Sequence, residues 1–509
     1  MRCFVLFLLF CSIGMFSQET LFKENLLNDE VFEVNKISKD LASTYSSTAY
    51  FKQNKFNIER NLVIKLPNNT IVNATYVKSY YYTSGSFSAV YSVANDENAQ
   101  LVFSEYDRVI TGMYQSSSNQ KFAFQQTGID VFAISQVNDN VLIDKDAAVD
   151  FEIPKTISSE RNTLLNSDVC AASTPICPGT ATIDVMVVYT PSARSLWGSV
   201  ATSNSNITTS ITNMNTALTN SGVSNVLINL VYVGEIVYTE SGSFSTDLSR
   251  LSGTSDGYMD NIHALRDTYA ADLVGLVIGS PTSSCGLGYL NTVSTNYINS
   301  AAFTVTLYSC VVSNFSLAHE FGHNMGLNHD WYVNTSNSPC SHHHGYTNKT
   351  AITNGTSSTA SQRWRTIMAY NDECSNAGFT CTRINRWSNP SSNYNSEPTG
   401  VTIGQSNPAD EAFGFRRFAC VVSGFKNMLG VQNFEKTLFS IYPNPVNDSF
   451  ALSSDAEIGK VLVYNNMGQQ VFQTETKTVT VNSLATGIYF VKVFDVDGKS
   501  LGVSKIVKQ

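Results

Sequence analysis

The stretch His319-Glu320-Phe321-Gly322-His323-Asn324-Met325-Gly326-Leu327-Asn328-His329 constrains this chain more than any other. His319 and His323 are four residues apart, so on a helix both imidazoles leave one face. Two such nitrogens can hold Zn2+ at ~2.0–2.1 Å. Gly326 can take a positive φ, so the helix can end there and the chain can turn back to bring in His329 as a third donor. Three protein donors leave a fourth position for water, the arrangement of a catalytic rather than a structural zinc. Glu320, beside the first histidine, can reach that water without ligating. Zinc lowers the pKa of such a water to ~7, where a carboxylate can take its proton. The bland alternative is a helix that happens to carry histidines. Only seven histidines occur in the whole chain, and three fall on this pattern with the glutamate and the glycine in place.

The eleven-residue pattern resembles that of the metzincin zinc endopeptidases, which also carry a methionine in a turn beneath the metal. Thr366-Ile367-Met368-Ala369-Tyr370 resembles that turn. Asp330, directly after the third histidine, resembles the reprolysin (adamalysin-like) branch. Tyr370, two residues after the methionine, is similar instead to astacins and serralysins, where a tyrosine there ligates zinc and swings toward the transition state. The resemblance implies one zinc ion on His319, His323 and His329, Glu320 as general base and acid, Tyr370 as a catalytic residue and Met368 as the structural turn methionine. Protein or peptide is the implied substrate. A core methionine and a packed tyrosine are the competing readings of Met368 and Tyr370.

At 509 residues the chain is too long for one ordinary core. Met1-Arg2, the apolar run from Phe4 to Phe16 and Ser17-Gln18 read as a signal peptide over 1–17, too short to span a membrane. No later stretch is apolar enough to cross one. Residues 18–179 carry strand runs such as Leu62-Val63-Ile64-Lys65-Leu66 and Val131-Phe132-Ala133-Ile134, separated by turn residues. By position, and by resemblance to metzincin zymogens, they read as a β-rich propeptide; a β-rich binding module is the alternative. Residues 180–427 alternate strand and helix patterns. Ile183 to Thr190, Asn225 to Tyr238 and Leu273 to Ile278 read as strands, and 204–220 and Asp256 to Tyr269 as helices. Cys285 to Leu290 resembles the metzincin edge strand that pairs with extended substrate. The helix of the histidine motif is expected from Ser313, as N-cap, to Met325. Residues 428–436 read as a linker. The expected architecture is α+β and multidomain: a β-rich propeptide, a metzincin α/β catalytic domain with a long active-site helix, and a C-terminal all-β sandwich over 437–509.

That last segment opens Tyr442-Pro443-Asn444-Pro445. It continues with the turn Asn465-Asn466-Met467-Gly468 and the strand Gly487-Ile488-Tyr489-Phe490-Val491-Lys492-Val493. It resembles the C-terminal sorting domain of type IX secretion cargo, which implies the secretion machinery as a partner and a secreted or cell-surface destination. An adhesive or carbohydrate-binding module is the alternative.

Eight cysteines follow the signal peptide, an even number that suggests disulfides in an exported chain. Metzincin propeptides often place a cysteine thiolate on zinc, and Cys170 is the candidate here. Parity favours the other reading, a local bond between Cys170 and Cys177. A Cys285–Cys310 bond would pin the motif helix to the cleft wall. His342-His343-His344 reads as a solvated loop rather than a second metal site, and His263 as structural. Asn371-Asp372-Glu373 offers too few donors for Ca2+, which stands as possible but unsupported. The net charge of −9 and the lack of a Lys/Arg run exclude nucleic acid as a partner.

These readings converge on a secreted zinc-dependent metalloendopeptidase made as a precursor. The alternatives are a surface adhesin or binding protein with a vestigial zinc site, and a zinc amidase acting on cell-wall peptide. An intact Glu320 argues against the vestigial site, because only catalysis explains a carboxylate beside an open metal position.

Overall fold

A computed structural model describes residues 19–25, 39–53, 57–143, 150–154, 168–280, 284–426, 439–454, 456–465, 469–496 and 500–509. The expected signal peptide, the linker and the turn at 466–468 lie outside the described residues. The chain divides into two compact units, Met1–Asn427 and Met428–Gln509.

The first unit begins with a ten-stranded sheet. Ile71–Tyr81, Phe87–Val93, Asp96–Tyr106, Val109–Gln115, Lys121–Gly128 and Val131–Val137 follow one another as antiparallel neighbours. Asn95, Asp107, Arg108 and Asn119 take positive φ where these strands turn, a conformation that asparagine and aspartate tolerate. Alternation then sends one set of side chains, including Leu101, Phe103, Phe122, Phe124, Phe132 and Ile134, into a core of their own.

The second sheet has six strands. Across it run Phe151–Glu152, Gly286–Tyr289, Phe303–Leu307, Leu273–Ile278, Ala181–Tyr189 and Val226–Glu235. All its pairings are parallel except that of Gly286–Tyr289 with Phe303–Leu307. Leu273–Ile278 is buried at every position, as expected of a strand covered on both faces. The helix read at 204–220 starts earlier, at Val200, because the Ser199 hydroxyl accepts from Thr202 N–H at 3.0 Å and caps it. The helix read from Asp256 to Tyr269 starts later, at Asn261, and a further helix that the reading did not name, Phe244–Ser252, precedes it.

Helix Val200–Asn220 lies between the two sheets. Ile207, Ile211, Met214 and Leu218 join the core shared with the six-stranded sheet. Its other face meets the N-terminal sheet through hydroxyl and amide groups. Thr111 Oγ1 lies 2.9 Å from Ser205 Oγ and 3.0 Å from Thr209 Oγ1. Thr212 Oγ1 donates to Ser88 Oγ at 2.7 Å, and Gln100 Nε2 to Asn213 Oδ1 at 3.0 Å. A seam of hydroxyls and amides therefore runs between the N-terminal sheet and this helix, with Tyr82, Met113 and Val137 adding apolar contacts to the shared core.

The helix carrying His319 corrects an expectation. It is not long: it spans Ser316–Asn324, nine residues. Phe315, at φ 55°, is left-handed, so the helix cannot extend back to Ser313, which is not its cap. A second correction concerns Cys170. It is bonded to Cys340, and Cys177 to Cys420, so Cys170 is neither a metal-blocking thiolate nor the partner of Cys177. Parity counts thiols but not neighbours. The chain carries Cys177 past Arg416, whose carbonyl accepts its N–H at 2.8 Å, and so to Cys420. Cys285–Cys310 and Cys374–Cys381 complete the set.

The second unit holds a three-stranded and a four-stranded sheet, whose pairings are antiparallel and whose apolar side chains share one core. No helix among the described residues is long and apolar enough to cross a membrane.

The polar seam is testable in the full chain. Thr212→Val strips the buried Ser88 and Tyr82 hydroxyls of a partner. It is expected to destabilise the chain by about 1–3 kcal/mol, read as a lower denaturant midpoint at unchanged slope.

Candidate metal centre

Three imidazoles meet at one point, and two of them, His319 and His323, have their outer nitrogens held elsewhere. His319 Nδ1 lies 2.8 Å from the Ile367 carbonyl and His323 Nδ1 2.8 Å from the Leu327 carbonyl. A carbonyl only accepts, so each Nδ1 carries the proton and each Nε2 presents a lone pair. The first bond comes from the turn around Met368, the second from the chain leaving the helix. Gly326, at φ +81°, permits that exit; a Cβ there would stand 2.3 Å from the Tyr297 hydroxyl. His329 then returns with its Nε2 3.1 Å from that of His323. All three histidines are buried. Burial drives the His319 imidazole down to about 3, so it is neutral and able to ligate.

A fourth donor stands among them, and the sequence reading missed it. Asp150 Oδ1 lies 3.0 Å from His323 Nε2 and 2.6 Å from His329 Nε2, and Oδ2 lies 3.1 Å from His319 Nε2. The four donor atoms lie within 4.8 Å of one another. Their spacings are close to the roughly 3.3 Å expected between the ligand atoms of a tetrahedral ion with ~2.0–2.1 Å bonds. Three imidazoles and a carboxylate are a donor set that zinc accepts.

Asp150 is delivered by strand pairing. Phe151–Glu152 adds to Gly286–Tyr289 in parallel register. The Asp150 carbonyl accepts from Gly288 N–H at 3.0 Å, and the Glu152 carbonyl from Leu290 N–H at 2.8 Å. The Phe151 ring closes over His323 and His329 at 5.2 and 5.7 Å. Nothing in the spacing of Asp150-Phe151-Glu152 distinguishes it from other acidic pairs. The only available signal was the exposed edge that Gly286–Tyr289 offered.

Glu320 is buried beneath that same edge strand. The strand approaches so closely because it carries glycines: a Cβ on Gly286 would stand 2.2 Å from Glu320 Oε1, and one on Gly288 2.9 Å from the Glu320 carbonyl. Met368 is fully buried under the helix, and a Cβ on Gly322 would meet its sulfur at 2.6 Å. Asp330 ties the two halves together. Its Oδ2 accepts from Tyr370 N–H at 2.8 Å and its Oδ1 from Tyr332 N–H at 3.0 Å. The Tyr370 ring thereby stacks on His329 at 4.2 Å.

Residues 179–388 match the model of metallo-peptidase family M12, reprolysin type. Residues 440–509 match that of a secretion system C-terminal sorting domain. A peptidyl-Asp metalloendopeptidase of Stenotrophomonas maltophilia (strain R551-3) is 40% identical over 240 residues, 45% of this chain and 49% of that protein. One of Xanthomonas campestris pv. campestris is 37% identical over 232 residues, 45% and 48% respectively. One of Pseudomonas fragi is 35% identical over 180 residues, 35% of this chain and 86% of that protein.

The chain belongs to metallo-peptidase family M12.

It spans about half the length of the Stenotrophomonas and Xanthomonas relatives. Its sorting domain marks it as exported. Within this M12 domain, three further expectations resolve. His342-His343-His344 is not a solvated loop; all three are buried. His343 Nδ1 donates to the Gly326 carbonyl at 3.0 Å, and His344 Nδ1 to the His329 carbonyl at 2.6 Å, so the run braces the turn that presents His329. Cys340 lies beside His342 and His343, but its sulfur is committed to Cys170. Glu373 pairs with Lys349. His263 Nε2 sits 2.7 Å from the Gly253 carbonyl, a structural bond as expected.

Asp330 is the residue to test. Asp330→Ala leaves the buried Tyr370 N–H and the part-buried Tyr332 N–H without their acceptor and is expected to destabilise the chain by about 1–3 kcal/mol in denaturant unfolding. A variant with an unchanged midpoint would show that the Met368 turn holds without this tie.

Proposed function

We propose that the chain is an exported zinc-dependent metalloendopeptidase, made as a latent precursor and hydrolysing peptide bonds of protein substrates. The observation that carries this reading is the convergence of three Nε2 atoms beside the buried carboxylate of Glu320. His319, His323 and His329 would hold one zinc ion. Zinc there would polarise the scissile carbonyl and lower the pKa of the attacking water to ~7. Glu320 takes the proton of that water and hands it to the leaving nitrogen. Tyr370, whose ring stacks on His329, would donate to the oxygen that gains charge. An extended substrate pairs with the edge strand Gly286–Tyr289, the backbone that Phe151–Glu152 engages in the precursor. Given the names of its relatives, we infer a preference for bonds beside aspartate.

Latency on this reading comes from an aspartate. The Asp150 carboxylate takes the place that water needs, and its own strand covers the cleft. The N-terminal segment up to about residue 179 is then the propeptide. The hydroxyls along its seam with helix Val200–Asn220 support removal, since those left behind by a departing sheet are readily hydrated. The C-terminal unit directs passage through the type IX machinery.

Processed protein incubated with an unfolded protein substrate is expected to cleave it. A zinc chelator should abolish the cleavage, and Glu320→Ala should lower kcat/KM by ~10²–10⁴-fold. Absence of cleavage by processed, zinc-loaded protein would sink the reading. Asp150→Ala is expected to raise the activity of the unprocessed chain above that of the parent precursor, though below that of processed enzyme because Phe151–Glu152 still covers the edge, measured on a peptide substrate before any maturation cleavage. If that variant stays as silent as the parent precursor, latency does not rest on Asp150.

A further inference from the structure

Two arginines lie buried beside the metal centre, and the chemistry above does not use them. Arg365 and Arg383 stand directly opposite each other as register partners in the short parallel ladder of Trp364–Arg365 and Thr382–Arg383. They are 1% and 2% exposed. Partners in register project from the same side of a ladder, so two guanidinium groups are held side by side. Arg365 Nη1 and Arg383 Nη2 both donate to the carbonyl of Ala369, which lies between Met368 and Tyr370. Arg383 Nη1 also donates to the Asn314 carbonyl at 3.1 Å, two residues ahead of the helix that carries His319 and Glu320. The pair thus fills the corner between the start of that helix and the turn beneath the histidines. The Cys374–Cys381 disulfide and an Arg365 Nε bond to the Cys381 carbonyl at 3.2 Å pin that corner.

Like charges placed opposite each other and buried cost stability, so an arrangement of this kind needs a reason. The bonds to the Ala369, Asn314 and Cys381 carbonyls use part of each guanidinium, and neutral donors could serve those carbonyls without two charges. Guanidinium forks match a carboxylate in two-point geometry, which makes them suited to reading one. The N-terminal segment reaches the same corner with charged groups. Lys121 Nζ contacts the Ser313 carbonyl at 3.4 Å and pairs with Asp139 at 3.0 Å, while Asp139 Oδ2 accepts from Thr382 Oγ1 at 2.9 Å. Gln115 Nε2 donates to the Arg383 carbonyl at 3.1 Å. Burial disfavours the charge on Lys121, and the proximity of both arginines adds to that effect. The N-terminal segment therefore packs a lysine–aspartate pair against this corner, with Asp139 on Thr382, the residue before Arg383, and release of the segment would uncover it.

Resting on the endopeptidase reading, we propose that Arg365 and Arg383 are the specificity-determining residues of that enzyme. They bind the side-chain carboxylate of the substrate residue next to the cleaved bond. Arg383, bonded to Asn314 ahead of the helix, contributes most, and Arg365 supports it from across the ladder. An acidic residue gains charge-assisted hydrogen bonds there, while its amide or alanine counterpart leaves the guanidinium groups facing a neutral side chain.

The test uses processed, zinc-loaded enzyme on peptides that differ only at one residue flanking the scissile bond: aspartate, glutamate, asparagine or alanine. The parent enzyme is expected to favour aspartate over asparagine and alanine by at least ~10- to 100-fold in kcat/KM. Arg383→Gln should bring the aspartate-to-alanine ratio toward one, and Arg365→Gln should lower it less. Zinc content and melting midpoint show whether each variant is folded. Where Arg383→Gln fails to fold, Arg383→Lys, which keeps the charge but not the fork, is expected to give an intermediate ratio. A parent enzyme without acidic preference, or folded variants that retain the parent ratio, would overturn the inference. So would a loss that falls equally on all four peptides. A parent that cleaves none of them, nor any unfolded protein, points instead to failure of the endopeptidase reading.

Discussion

The bonds from imidazole Nδ1–H to backbone carbonyls are what the rest of the centre depends on. Histidine can present either ring nitrogen, and a site with mixed tautomers would hold no ion. Here the Ile367 and Leu327 carbonyls fix the choice for His319 and His323. Those carbonyls are in turn positioned by the turn at Met368 and by the exit of the helix at Gly326. The helix can therefore be short. Nine residues suffice because its ends are held by a disulfide, by Asp330 and by buried histidines rather than by its own length.

The same backbone that shapes the cleft also receives the segment that fills it. Gly286 and Gly288 let the edge strand lie against Glu320, and the free side of that strand is where Phe151–Glu152 adds. An unpaired strand edge binds whatever extended chain is close, and a covalently attached one has a high effective concentration. Strand addition then brings Asp150 to the histidines without any dedicated loop.

Much of the M12 domain was legible in the sequence. The histidine motif, the turn methionine, the strand at 183–190 and the helix at 204–220 are carried by residues close together in the chain, where spacing translates directly into a shared face. The errors share a cause. Cys170 was read against its neighbour Cys177, although its partner Cys340 lies 170 residues away. His342-His343-His344 looked polar and was read as solvated, but burial belongs to the fold and not to the tripeptide. Ser313 looked like a cap, and the left-handed Phe315 displaced the helix start.

The sequence by itself determined the chemistry available: three imidazoles, a carboxylate and a turn methionine at fixed spacings. Helix periodicity puts His319 and His323 on one face with no help from distant residues. Tertiary structure alone decided what stands opposite that chemistry. Asp150, the disulfide partners and the Arg365–Arg383 pair are each brought in by sheet registers and chain crossings. Those depend on which edges remain unpaired and which faces must be buried across the whole unit, and no local window of sequence contains that information.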